Sequence, residues 1–409
     1  MMSPMSRRIR LLLVTVSAVL VFYIAVGGVL GRSDNAGSTT DQTYRDLGVY
    51  TEVLSRINSQ YVTEPDLQKV TEGAIRGLLE ALDPYSTYFT PDEFKAYLAH
   101  PDPGPASVGI FPSKRFGYYA PVVAVLSGSP AEKAGIKPGD LLDRIGDKAT
   151  RELSVIQIER LLAGDAGSEV TLWVVREERG EPQKIVLTRV LLDHVPIVAK
   201  MLDDGTAYLR VATFDAGTAA EFASKLKGLV AQGATKIVVD LRDCAGGKVS
   251  EAVDTASLFL DKGLIAYTYG QRSPRHDLVA KPSGTVCNLP LAVLINRSTA
   301  GPAELTADAI LANKRGDVVG LPSFGIGVVQ KVVPVGDGSA LLLSVAKYYG
   351  PDGKAIQDNG VTPDVTYPTP EEAGESGPLP PEQLGTKDDL QLQKAIEILK
   401  QKSAPAKAA

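Results

Sequence analysis

Cysteine, histidine and tryptophan are scarce in this sequence: two, three and one respectively among 409 residues, with aromatic residues at 6%. Two cysteines do not make a disulfide scaffold. Cys244 follows the strand-like run 236–241 and Cys287 precedes the run 290–295, so parallel strands would hold the two thiols at opposite ends of a sheet. No HExxH or CxxC pairing occurs, which leaves a zinc site, or any cofactor, without support. The GxSxG elbow is missing too. Gly246-Gly247-Lys248 lacks the spacing and following hydroxyl residue of a phosphate loop. His100, His194 and His276 are scattered, adjoin no nucleophile pattern, and read as surface or loop residues. A net charge of -5 and a pI near 5.5 argue against a nucleic-acid partner, and no block of like charges forms a binding tail.

What the sequence does contain begins at its start. Arg7, Arg8 and Arg10 precede a charge-free, mostly apolar run from Leu11 to Leu30, closed by Arg32, Ser33 and Asp34. At about 1.5 Å per residue such a run crosses a hydrocarbon core of about 30 Å. The basic flank then stays cytoplasmic and the rest lies outside, which predicts a single-pass anchor over residues 1–33 and an extracytoplasmic or periplasmic bulk. A cleaved signal peptide is the rival, because Ala25-Val26-Gly27 offers small residues.

Residues 34–105 read as a polar spacer (34–44) followed by two helical patterns. Val53, Leu54 and Ile57 carry the first; Ala74, Ile75, Leu78, Leu79 and Leu82 carry the second. Pro101-Asp102-Pro103-Gly104-Pro105 is a stiff break. From 106 to 190 short β runs alternate with turn signals around one helical stretch, 155–162, predicting a small α+β module. From 191 to 366 strand and helix patterns alternate, predicting an α/β core with largely parallel strands. Residues 367–385 read as loose, ahead of a last helix within 367–409 that places Leu392, Ala395, Ile396 and Leu399 on one face.

Several segments together resemble the carboxyl-terminal processing, or tail-specific, serine peptidases. The run Leu82-Asp83-Pro84-Tyr85-Ser86-Thr87-Tyr88-Phe89 resembles the hallmark preceding that family's PDZ domain. The stretch 128–140, with Gly128-Ser129-Pro130 and Lys137-Pro138-Gly139-Asp140, resembles a PDZ core. Asp240-Leu241-Arg242-Asp243-Cys244-Ala245-Gly246-Gly247 resembles the family's DLRxNPGG loop, and segments 346–353 and 360–364 resemble its closing strands. The resemblance implies a helical N-terminal segment, an α+β PDZ domain and a crotonase-like α/β peptidase core. It also implies a serine nucleophile, a lysine base made basic by desolvation, and a glutamine that orients the lysine.

The sequence departs from that pattern where the chemistry sits. Ser298-Thr299-Ala300-Gly301-Pro302-Ala303-Glu304 stands where the family has a SASASE-like motif, and alignment on Glu304 puts Gly301 at the nucleophile position. Phe324-Gly325-Ile326-Gly327-Val328-Val329-Gln330 stands for an FGKGxxQ-like motif, with Ile326 at the lysine position and only Gln330 retained. Glycine is a tolerable N-cap, with Pro302 at N1 and Glu304 at N3. Isoleucine removes a desolvation penalty. Ser298 lies three residues from the nucleophile position, and Lys331 would face away from Gln330 in an extended strand.

Two binding features are expected to outlast the chemistry. Gly246 and Gly247 match the oxyanion-forming loop, or else serve only a turn with positive φ. Val108, Gly109 and Ile110 resemble a PDZ carboxylate-binding loop, against a purely structural role. The expectation is therefore a pseudoprotease that binds polypeptide C-termini or unfolded segments. It would be anchored in the membrane and partnered by a second copy or an active relative. An endopeptidase with a relocated nucleophile and a structural interaction module are the alternatives.

Overall fold

In the computed structural model, residues 36–99, 104, 106–114, 119–176, 180–192, 194–282, 287–369, 373 and 383–403 are described. The proposed anchor, residues 101–103 of the proline-rich break and most of the 367–385 stretch lie outside them. Among the described residues no helix is long and apolar enough to cross a membrane. The chain divides into two units, residues 1–74 and 75–409.

The first unit contains helix α1 (Ala36–Gln60) and the start of α2 (Leu67–Glu80), which continues into the second. The expected spacer at 34–44 is thus helical from Ala36 onward. Once the apolar-periodic stretch that follows has nucleated a helix, each added residue gains a hydrogen bond, so a polar extension can join it.

After α2, Asp83 builds a tight turn: its carboxylate accepts from the N–H of Tyr85 and Ser86 and from the Ser86 and Ser344 hydroxyls. Strand β1 (Thr87–Phe89) and helix α3 (Pro91–Ala99) follow. The 106–190 module is as expected in kind. It comprises β2 (Ala106–Ser107), β3 (Ile110–Pro112), β4 (Ala120–Val125), the short helix α4 (Pro130–Lys133), β5 (Leu141–Ile145), β6 (Lys148–Ala149), helix α5 (Val155–Leu162), β7 (Glu169–Val175), β8 (Gln183–Thr188) and β9 (Val190–Leu191). Its own core gathers Val122, Leu142, Ile158, Leu162, Leu172 and Val174. Ser154 caps α5, with Gln157 returning the bond to its N–H at 3.0 Å.

The α/β core comprises β10 (Val198–Met201), β11 (Thr206–Arg210), α6 (Thr218–Ala231), β12 (Lys236–Asp240), α7 (Val249–Ser257), β13 (Leu264–Tyr269), β14 (His276–Val279), β15 (Leu291–Ile295), α8 (Pro302–Ala312), β16 (Asp317–Gly320), β17 (Val328–Pro334), β18 (Ala340–Tyr349), β19 (Val365–Thr366) and α9 (Leu390–Ser403). One sheet runs β10-β11-β12-β15-β16-β19, parallel except for β10. Its central strands are buried on both faces, so they read as unbroken apolar runs. Ile237, Val239 and Val293 turn toward α6, α7 and α8; Val238, Ala292 and Leu294 turn toward Leu392, Ala395, Ile396 and Leu399 of α9. Each such fully buried large side chain contributes about 1.5–3 kcal/mol. Both cysteines are free, at opposite ends of the parallel pair β12–β15.

A second, antiparallel sheet goes beyond what the strand–helix alternation predicts: β1-β18-β13-β14, with β17 also paired to β18. The 360–364 segment is not itself a strand; only Val365–Thr366 pairs, with β16.

Candidate functional site

Three loops leave the carboxyl ends of the parallel strands side by side, where a crevice forms in open α/β sheets. They are residues 241–248 after β12, 296–301 after β15, and 321–327 after β16. Backbone bonds join them: Ala300 N–H donates to the Cys244 carbonyl at 2.9 Å and Phe324 N–H to the Thr299 carbonyl at 2.9 Å. The Thr299 hydroxyl donates to the Leu241 carbonyl at 2.8 Å.

Gly301 ends the second loop as the N-cap of α8, with φ 62° and ψ −122°. This sharp strand-to-helix turn is a conformation that a residue with a side chain adopts only under strain. Nothing lies within 4 Å of where a Cβ would sit, so a side chain there would be strained but not crowded.

The residue that organises the site is Glu304, fully buried in the first turn of α8. Its Oε2 accepts from the N–H of Gly301 and of Ile326, each at 2.8 Å. Its Oε1 accepts from the Ser323 hydroxyl at 2.5 Å and the Gly325 N–H at 2.7 Å. One carboxylate therefore ties the Gly301 turn to the Ile326 loop. Burial pushes this carboxyl up to about 7, opposed by the four donors. In the sequence Glu304 marks only a helix start. An acid at N3 can reach back to the N-cap N–H, but its partners in the 323–326 loop have no local signature.

Ile326 lies half-buried in a small apolar cluster with Ala245, Ala300 and Phe324 of the core and Phe111, Val123 and Ala124 of the 106–190 module. Gly246 and Gly247 both have positive φ, 76° and 96°. The Phe111 ring sits against Gly246 so closely that a Cβ there would collide with it. The module's β3 and β4 thus cover the loop expected to form an oxyanion hole. Phe111 has no sequence signal for this contact, because its partner belongs to a different module.

Gln330 is exposed on β17, and its amide donates to the Tyr85 carbonyl at 2.8 Å, joining the Asp83 turn to this sheet. Cys244 is buried, and burial pushes its thiol pKa up, which removes it as a substitute nucleophile. Ser298 lines a cleft of about 950 Å³ between the module and the core, together with Val123, Lys137, Arg210, Asp243 and Phe324. Among the described residues, no lysine or histidine hydrogen-bonds the Ser298 hydroxyl. His194 is paired with Glu221 at 2.6 Å and His276 is exposed on β14; His100 is outside the described residues.

The loop Val108-Gly109-Ile110 precedes and opens β3. The carbonyls of Val108 and Gly109 accept from Ala131 at 3.0 Å and Leu126 at 2.8 Å. Val108 is fully buried, and Gly109 has positive φ, 80°.

Comparison with known proteins agrees with this geometry. Residues 205–367 match the profile of Peptidase family S41, residues 122–176 that of a PDZ domain, and residues 30–92 the "Activating protease CtpB N-terminal domain". The Carboxy-terminal-processing protease of Bartonella bacilliformis is 31% identical over 335 residues, covering 80% of this chain and 76% of that protein. The Carboxy-terminal processing protease CtpA of Bacillus subtilis is 28% identical over 361 residues, covering 88% and 76%. A solved photosystem II D1 C-terminal processing protease superposes with a TM-score of 0.64 at 26% identity, covering 78% of this chain and 92% of that one. A family S41 match over the core, a PDZ match over the module packed on it, and named carboxy-terminal processing proteases that align across most of the chain lead to one conclusion: the chain belongs to peptidase family S41, the carboxy-terminal processing proteases.

Proposed function

We propose that this chain is a non-catalytic member of its family, a pseudoprotease that binds polypeptide C-termini or regulates proteolysis. The observation that carries this reading is the combination at Glu304. The clamp joining the two catalytic loops is complete, while the positions aligned with nucleophile and base hold Gly301 and Ile326. Glycine offers no attacking group and isoleucine cannot titrate. Binding is supported by the N–H groups of Val108 and Gly109, which suit a terminal carboxylate. The basic flank and apolar run of residues 7–30 support a single-pass location in the cytoplasmic membrane, with the bulk of the chain on the outer side.

One observation favours a relocated nucleophile, namely that Ser298 lines the cleft. Purified full-length protein separates the two readings. A labelled peptide with an apolar, free C-terminus is expected to bind, its C-terminal amide is expected to bind at least about 10-fold more weakly, and a serine-directed phosphonate is expected to leave the protein unmodified. Equal binding of acid and amide would point to a structural module. Labelling at Ser298 would point to an active enzyme.

A further inference from the structure

Helix α8 carries two buried carboxyls one turn apart, and they are treated differently. Glu304 accepts from four donors. Asp308, in the second turn, is 9% exposed, and its Oδ2 has no hydrogen-bond partner among the described residues. A buried carboxylate oxygen without a donor is costly, and such an atom in a folded protein calls for an explanation.

The turn that follows β18 rests on this carboxyl. That turn, Gly350-Pro351-Asp352-Gly353-Lys354, is closed by the Gly350 N–H on the Lys354 carbonyl at 2.8 Å and the Gly353 N–H on the Gly350 carbonyl at 3.0 Å. A Cβ at Gly350 would collide with Asp308 Oδ2, so only a glycine lets the chain lie against it. Asp352 is occupied within the turn: one oxygen accepts from the Lys354 N–H at 2.9 Å, and the other meets the exposed Lys354 ammonium at 2.9 Å. These two are the charged groups that act on Asp308; β13, β16 and α7 also pack on α8 and add none.

A carboxyl with neither donor nor cation in contact is neutralised by a proton. Burial, and then Asp352, push the Asp308 carboxyl up to about 7 against a smaller opposing pull from Lys354. The protonated group lies under the turn without a buried charge. The ionised group needs water, which reaches Oδ2 only when the turn lifts.

The residues on either side of the turn hold the Ile326 loop. Before it, the Tyr348 N–H donates to the Gly327 carbonyl at 2.8 Å. After it, Gln357 Oε1 accepts from the Gly327 N–H at 2.8 Å, and the Asp358 N–H donates to the Gly325 carbonyl at 3.0 Å. Glu304 holds the same loop through the N–H groups of Gly325 and Ile326. Helix α8 therefore braces this loop twice, once through Glu304 and once through the turn seated on Asp308. Ser323 and Phe324, which lead into the loop, line the cleft.

We propose that Asp308 is a proton-operated brace: its neutral form seats the 350–354 turn and keeps the Ile326 loop rigid, and its ionisation releases the turn and slackens this wall of the cleft. The device concerns the loop itself, and it holds whether the protein binds tails or cuts them. Lifting the turn returns Asp308 to the ordinary carboxylate value of 3.8, so opening becomes easier with each step in pH between 3.8 and 7 and levels off above 7.

Hydrogen exchange of the purified full-length protein tests this in the segment 350–358, after correction for the intrinsic pH dependence of amide exchange. From pH 5 to 7, protection there should fall by up to about tenfold for each step of one in pH, with no further fall from pH 7 to 8. Asp308→Asn should be flat over the whole range. Lys354→Met, at an exposed position that leaves the core untouched, removes the charge favouring the ionised form, so the levelling-off should move above pH 7. The proposal is overturned if wild-type protection in this segment does not change with pH, or if Asp308→Asn keeps the same fall. An unmoved levelling-off in Lys354→Met overturns it as well, because the proton would then belong to another group.

Discussion

Glu304→Ala is expected to destabilise the protein by about 3–5 kcal/mol, measured by urea unfolding, because it leaves four donors, two buried and two half-buried, without an acceptor. Three are backbone N–H groups, on Gly301, Gly325 and Ile326, and one is the Ser323 hydroxyl. The Ser323 hydroxyl oxygen also accepts from the Val361 N–H at 2.6 Å, so the loss propagates to the segment behind the loop. Glu304→Gln keeps the size but sets an NH2 group against N–H donors, so it should also be less stable than wild type.

The pH dependence separates these effects. The carboxyl of Glu304 titrates near 7 in the folded protein, raised from an ordinary value of 4.5. The folded state therefore holds an extra proton between these two values. Glu304's contribution is full below about pH 4.5 and is lost as pH rises through 7, falling by up to about 1.4 kcal/mol for each step of one in pH. The stability gap between wild type and Glu304→Gln should narrow from pH 5 to pH 8. A constant gap would mean that the four donors hold the group ionised throughout.

The second large effect is a gain. A Gly301→Ser/Ile326→Lys double variant should cleave an unstructured protein with an apolar C-terminus, at least about 100-fold above wild-type background, since a positioned base alone contributes about 10²–10⁴-fold. Space for the serine side chain is present, and its strained backbone costs about 1–3 kcal/mol. Lysine at 326 would enter the apolar cluster with Phe111, Phe324 and Ala300, and desolvation there lowers an ammonium's pKa toward that of a base. Each single variant should stay silent, because serine without a base and a base without a nucleophile achieve little. A folded double variant that binds the peptide and never cuts would show that more than two side chains separate this chain from an active peptidase.

How much of this is legible in the sequence depends on how local each feature is. Helix α5 matches its expected range, α8 starts at Pro302 as expected and strand β15 falls within the expected run 290–295, because their caps and apolar runs are written within a few residues. The sheet containing β13, β14 and β17 has no such local record. Those strands are half-exposed, carry residues such as Arg275, Gln330 and Lys331 in or beside them, and take their register from β18 or from one another. The identity of the site follows from aligned motifs. Its construction does not, because the Glu304 clamp reaches a loop 19–22 residues away and the Phe111 contact joins two modules. Asp308 does carry a local signal: it is a charged residue inside an otherwise apolar stretch of helix, which asks what neutralises it.

The most direct test of the central claim is to incubate full-length wild-type protein with an unstructured protein bearing an apolar C-terminus, and to follow the intact mass of that protein over many hours. The account predicts that the mass does not change, although the tail binds. Shortening from the C-terminus that Ser298→Ala abolishes would contradict it, and would make the serine in the cleft, not the empty Gly301 turn, the centre of this protein's chemistry.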